Sequence, residues 1–232
     1  MATPPNRVPA EALLLDAFGT LLHLDDPAPR LGALLAAEGT PHPPARVAAA
    51  LAQEIAYYRR NLQRGRDAAA LAALRLECAG VLAEGLGDDV PPPTRLAQIL
   101  VEALRFTLAP DAIPALDALA RAGIPVAVVS NWDCGLPDAL DGLGLGGRFA
   151  AVCASASVGA AKPDPAIFLH ALRILGVPPE RAVHCGDSAG ADCAGARAAG
   201  LRGVIIDRSG LLAPGPCRRV GSLVELALWI TG

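Results

Sequence analysis

The chain has 232 residues, 53% of them hydrophobic and only 3% aromatic, with a formal net charge of −3. That length and apolar content fill one large core, or a core with a sizeable insertion, and exclude general disorder. The near-neutral charge and scarce aromatics exclude a broad nucleic-acid footprint, and no run of about 18 uncharged apolar residues is present to span a membrane.

The first ten residues, MATPPNRVPA, are Pro-rich and read as a loose tail in a chain with no secretory leader. The run ALLLDAFGTLL over 12–22 reads as a buried parallel strand ending at Asp16, followed by a tight turn at Gly19. Residues 23–106 read as helices almost throughout, with no strand. Val47, Leu51, Ile55, Tyr58 and Leu62 recur at helical spacing, as do Leu71, Leu74, Cys78 and Val81 behind a cap at Asp67. Thr94 is the expected cap of a helix carrying Leu96, Leu100 and Leu104, after a break at VPPPT.

From Pro110 the pattern alternates. A helix near 111–122, a strand over 124–130, a helix over 135–143 and a strand near 149–153 come first. Asp164 and Pro165 open the next helix. Strands over 182–187 and 202–207 flank an Ala-rich helix over 190–199. A capping box at Ser222 and Glu225 starts the last helix. Such alternation predicts an α/β fold with a doubly wound parallel sheet, whose ligands bind at the carboxyl ends of the strands. The expected organisation is a discontinuous core, 1–22 with 107–232, and an inserted all-helical cap, 23–106.

Four loops after predicted strand ends carry polar residues in an otherwise apolar chain. They are Asp16-Ala-Phe-Gly-Thr20, Ser130-Asn131, Lys162-Pro163-Asp164-Pro165 and Gly186-Asp187-Ser188 with Asp192. Among 20 basic residues Lys162 is the one lysine. A compact ammonium suits a buried carboxylate and phosphate site where a planar guanidinium does not. Six cysteines form no C-x-x-C pair, and they read as packing thiols in a reducing cytoplasm, Cys185 and Cys193 included.

The ordered set of four loops resembles the motifs of the haloacid dehalogenase superfamily, over about residues 11–230, and the inserted helices resemble its mobile cap. The resemblance implies Asp16 as covalent nucleophile and Mg²⁺ ligand, with the Phe18 carbonyl as a second ligand. It implies Asp187 as a direct ligand, and Asp192 as a ligand through water or the group that orients Lys162. Ser130, the backbone amide of Asn131 and Thr20 would hold the transferring group, and Lys162 would neutralise it. The charge logic is independent of the resemblance: a carboxylate attacking a phosphate dianion needs cations to remove like-charge repulsion.

The chain departs from the phosphatase pattern at Phe18, where a second aspartate usually serves as general acid, a contribution of roughly 10²–10⁴ in rate. Three readings follow: a Mg²⁺-dependent phosphate-ester hydrolase acting on a small phosphorylated or anionic metabolite, a metal-free 2-haloacid dehalogenase, whose first motif also carries an aromatic residue there, or an idle fold that binds. A Schiff-base branch is excluded, because the cap has no lysine. The Arg-rich stretch 59–66 offers Arg59 and Arg60 as substrate contacts, against a plain solvated helix end. His23 is a candidate proton donor, and Asp133 a helix cap.

Overall fold

The computed structural model describes residues 10–232; the expected tail over 1–9 lies outside the described residues, whereas Ala10 is buried in the core. Six parallel strands form one sheet in the order β5–β4–β1–β6–β7–β8. Their bounds are β1 Ala12–Leu15, β4 Val126–Ser130, β5 Ala151–Ala154, β6 Ala182–Gly186, β7 Arg202–Ile206 and β8 Arg218–Val220.

β1 lies centrally because all four of its residues are apolar and buried, as a strand covered on both faces requires. Alternation sorts those residues between two cores. Leu13 and Leu15 join Val126 and Val128 under α5 (Ala112–Arg121) and α10 (Leu223–Thr231). Ala12 and Leu14 join Ala127 and Val129 under α8 (Pro165–Leu175) and α9 (Gly195–Ala198). Each fully buried leucine stabilises this sandwich by about 1.5–3 kcal/mol.

The chain passes from β1 to β4 on one side and reaches β6 on the other, so the strand order reverses at β1. Leu15 pairs with both Val128 and Cys185, which sets Asp16 between the ends of β4 and β6. That crevice is where open α/β sheets bind ligands.

Helices α1 (Pro27–Ala37), α2 (Pro44–Asn61), α3 (Ala68–Leu86) and α4 (Pro93–Ala103) pack around their own cluster, including Leu31, Leu51, Leu74, Leu82, Leu96 and Leu100. Asp67 caps α3 by accepting the Ala70 amide at 2.9 Å, as its sequence position suggests. α4 instead begins at Pro93 behind Pro92, and Thr94 caps nothing. Prolines preorganise this start without a side-chain acceptor.

Three further expectations are corrected. The stretch 23–106 is not strand-free: its ends enter β2 (Leu22–Leu24) and β3 (Phe106–Leu108), which form an antiparallel ribbon. The expected 190–199 helix opens as a wider π-helical turn over Ala189–Ala194 before α9. Cys193 is not a packing thiol but is joined to Cys217 with their Cα atoms 6.0 Å apart. The edge strand β8 brings Cys217 over Gly203, where any Cβ would sit 2.6 Å from its sulfur. Among the described residues no helix is long and apolar enough to cross a membrane.

Candidate active site

The four polar loops meet at the carboxyl edge of the sheet. The Asp16 amide donates to the Cys185 carbonyl at 2.9 Å, which fixes the residue at the switch point. Its buried carboxylate accepts at Oδ1 from Ser130 Oγ at 2.8 Å and from Lys162 Nζ at 2.6 Å. Lys162 Nζ donates again to Asp192 Oδ1 at 2.6 Å, and its side chain is only 3% exposed. Residues 114 and 146 positions beyond Asp16 thus converge on one oxygen.

The loop that carries Lys162 is held by Asn131. The Asn131 side chain donates to the Lys162 carbonyl at 2.9 Å and accepts the Lys162 amide at 2.7 Å. Its side chain is therefore a clamp on the backbone of the lysine, and its backbone amide is not used in these bonds. Asp192 is also engaged at both oxygens. Oδ1 accepts from Lys162 and from His184 Nε2 at 2.8 Å, and Oδ2 accepts the Ser188 amide at 3.0 Å. Of the two roles expected of Asp192, orienting the lysine is the one these bonds support. Gly186 permits this approach, because a Cβ there would lie 2.1 Å from the Asp192 carboxyl carbon.

Charge is unbalanced here. One carboxylate oxygen from each of Asp16, Asp187 and Asp192 lies within 4.8 Å of the others, with Lys162 as the one cation paired to them. Burial alone would lower the Lys162 pKa, but the Asp16 and Asp192 carboxylates outweigh it and raise it. Burial, opposed by Lys162 and reinforced by the Asp192 charge, raises that of Asp16. Asp192 resists its own burial and sits well below the usual carboxylate range through His184 and Lys162. Burial keeps His184 below the ordinary imidazole range, hence neutral at pH 7. Asp187 is pushed up to about 6, first by burial and then by Asp16 and Asp192. A surplus of hard oxygen donors whose mutual repulsion raises a carboxyl pKa suits a Mg²⁺ ion. The residues present therefore fit that ion, with Asp16 and Asp187 as the protein oxygens nearest to free.

Gly19 adopts φ +82°, and a Cβ there would lie 2.2 Å from Asp187 Oδ2. Only glycine allows both that turn and that approach. A cleft of about 360 Å³ opens beside them, lined by Gly19, His23, Asp187 and Asp207 to Ser209.

Thr20, Arg59 and Arg60 make none of the bonds within the Asp16 cluster. Thr20 is wholly buried and its hydroxyl has no partner, so it is not presented to a substrate. Arg59 and Arg60 are exposed at the end of α2. Instead, Tyr58 donates to Asp133 Oδ2 at 2.6 Å, Gln63 donates to Ser155 Oγ at 2.6 Å, and the Cys134 amide donates to the Gly65 carbonyl at 2.8 Å. The first and third tie the helical segment to the loop after β4, and the Gln63 bond ties it to Ser155, just past the end of β5. Helical periodicity marks Tyr58 only as a core position, which is why its hydroxyl went unassigned. Phe18 is 39% exposed, and its ring lies 6.4 Å from Trp132, which in turn lies 5.2 Å from Phe106.

With this geometry in hand, likeness to known proteins has a physical meaning. The haloacid dehalogenase-like hydrolase family model matches residues 10–200. Phosphoserine phosphatase of Thermus thermophilus is 39% identical over 162 residues, covering 64% of this chain and 63% of that protein. The chain thus spans a little under two thirds of that curated relative. Among solved structures, a HAD phosphatase from Thermococcus onnurineus is similar at 25% identity with a TM-score of 0.65, covering 93% and 95% of the two chains. A 2-haloacid dehalogenase from Pseudomonas syringae shares the fold at 23% identity with a TM-score of 0.70, covering 95% and 98%. The matched span contains the four converging loops, and the chain belongs to the haloacid dehalogenase-like hydrolases.

Proposed function

We propose that this hydrolase cleaves phosphate esters of small anionic metabolites through an aspartyl-phosphate on Asp16, with Mg²⁺ as cofactor. The observation that carries this reading is the Asp16 carboxylate held by Ser130 and Lys162, with Asp187 and Asp192 carboxylates inside 4.8 Å. The phosphatase named among its relatives supports the reaction class.

Ser130 and Lys162 fix the attacking carboxylate and leave its other oxygen to face phosphorus. Lys162 offsets the negative charge that gathers as carboxylate and phosphate approach. Asp192, backed by His184, keeps that ammonium in place. Asp16 and Asp187 would hold Mg²⁺, which supplies charge neutralisation for the phosphoryl oxygens. The helical segment 23–106 then acts as a cap over the site, tied down by Tyr58, Gln63 and Gly65.

Phe18 favours a second reading, the metal-free 2-haloacid dehalogenase, since a halide leaves without a proton. Turnover of an aryl phosphate with and without Mg²⁺, and of 2-chloropropionate without metal, separates them in wild type and Asp16→Asn. Metal-dependent phosphate release that is lost in the variant supports the phosphatase. Chloride release insensitive to chelator supports the dehalogenase, and silence of a folded protein in both assays removes both.

A further inference from the structure

We propose that the substrates are aryl phosphates, monoesters whose leaving group departs as a stabilised anion, and that Phe18 selects them; this rests on the phosphate-hydrolase reading above. The argument begins with proton donors. A group able to protonate a leaving oxygen must present a free O–H or N–H to it. Around Asp16 the main candidates are committed to another group or, like the Thr20 hydroxyl, wholly buried. Ser130 donates to Asp16, and Lys162 donates to Asp16 and Asp192. His184 is fully buried behind Asp192. Asp133 accepts from Tyr58 at one oxygen and from the Gly135 amide at 2.8 Å at the other, and Tyr58 is the donor in that pair. Asp187 is a carboxylate of the cation site. His23 lines the cleft beside Asp187, and the His23→Gln variant below reads its part.

What flanks the motif is apolar. Phe18, two residues after Asp16, is tilted at 58° to Trp132, and Trp132 at 52° to Phe106. Two of the four phenylalanines and one of the two tryptophans of a chain poor in aromatics gather there. Phe18 remains 39% exposed, so a flat face is open to a ligand. Such a surface stacks on an aromatic leaving group and gives no hydrogen bond to an alkyl alcohol.

The chemistry then balances without an acid. An Asp16 oxygen forms a bond to phosphorus as the P–O(aryl) bond breaks, and the electron pair leaves with a phenolate, the conjugate base of an acid with pKa about 10. An alkoxide is far more basic and leaves poorly unprotonated. Water oxygen next attacks phosphorus and the P–O(Asp16) bond breaks, releasing inorganic phosphate and the Asp16 carboxylate, with the water proton lost to solvent. With Phe18 at the position two residues after Asp16, no carboxylate there activates that water, so the phosphorylated enzyme accumulates.

The test compares substituted phenyl phosphates with phosphoserine and phosphoglycolate, using the full chain with Mg²⁺. kcat/KM for the aryl esters should exceed that for the alkyl esters by about 10²–10⁴-fold, the worth of general acid help. Phenol release should show a burst near one equivalent per chain, and mass spectrometry of quenched enzyme should find one added phosphoryl group, absent in Asp16→Asn. Phe18→Asp should narrow the aryl–alkyl gap by at least tenfold. Phe18→Leu should raise KM for aryl esters by about threefold to tenfold, the loss expected for one aromatic pair. Aryl and alkyl esters turned over within tenfold of each other overturn the proposal while leaving the phosphatase reading intact. So does alkyl turnover that disappears in His23→Gln, which would identify an acid. No phosphate release and no phosphoenzyme with any ester overturn both.

Discussion

Replacing Lys162 with methionine removes the one cation that faces two buried carboxylates, Asp16 and Asp192, at 2.6 Å each. The pair is desolvated on both sides, with side-chain exposures of 3% for the lysine and 7% and 1% for its partners. Deleting one partner of such a pair strands the other, at a cost of about 3–5 kcal/mol. For a chain of this length each kcal/mol moves Tm by about 2–4 °C, so the variant should melt about 6–20 °C lower. Calorimetry of the metal-free protein at pH 7 reads this directly. Adding Asp192→Asn to the variant removes one stranded charge and should recover about 1 kcal/mol or more, whereas the same change in wild type destabilises. The stranded carboxylates can also take up protons, so the deficit should shrink as pH falls from 7 to 5. A melting point within about 2 °C of wild type, smaller than the shift for a single kcal/mol, would refute the reasoning. Strictly additive effects of the two changes would do the same.

Gly19→Ala forces a left-handed backbone at about 1–2 kcal/mol and drives a methyl into Asp187, so Mg²⁺ affinity by titration calorimetry should fall at least about tenfold. Asp187 titrates near 6, above its ordinary 3.8, so the metal-free folded site holds that proton below pH 6 and a cation must displace it. Affinity should therefore fall by about tenfold per pH unit below 6 and level off above it, and Asp187→Asn should abolish that break. Tyr58→Phe leaves the buried Asp133 without its 2.6 Å donor, at about 1–3 kcal/mol, and should accelerate hydrogen exchange at the Cys134 amide; unchanged exchange would separate that bond from cap closure.

The parallel sheet was legible because its strands are short apolar runs, each ended by a polar residue, and Asp16, Ser130, Lys162, Asp187 and Asp192 stood out against that background. Their convergence follows from parallel topology, which places every such loop at one edge. The three-residue runs Leu-His-Leu and Phe-Thr-Leu are too short to show a period, so neither β2 nor β3 is marked as a strand by its sequence. β8, with Arg218 and Arg219 exposed and only Val220 buried, likewise lacks a strand signature. The link between Cys193 and Cys217 depends on strand adjacency, which spacing alone does not carry. In the 59–66 stretch, charge drew attention to Arg59 and Arg60, while the bonds to the sheet come from Tyr58, Gln63 and the Gly65 carbonyl. Charge marks what water solvates; contact depends on which helix face turns inward.

The β2–β3 ribbon has an architectural consequence. His23 pairs with Thr107, and the Asp25 amide reaches the Arg105 carbonyl at 3.0 Å, so the chain departs from the sheet and returns to it side by side. Everything between those points is joined covalently to the sheet through a single two-stranded stem, which can bend or twist but cannot shear, since one leg cannot slide without breaking its ladder to the other. The same adjacency makes the four helices a detachable cassette. A tight hairpin turn joining Leu24 to Phe106, or a foreign bundle on the same stem, would leave every crossover of the parallel sheet untouched, so what the site admits can diverge while its chemistry stays where it is.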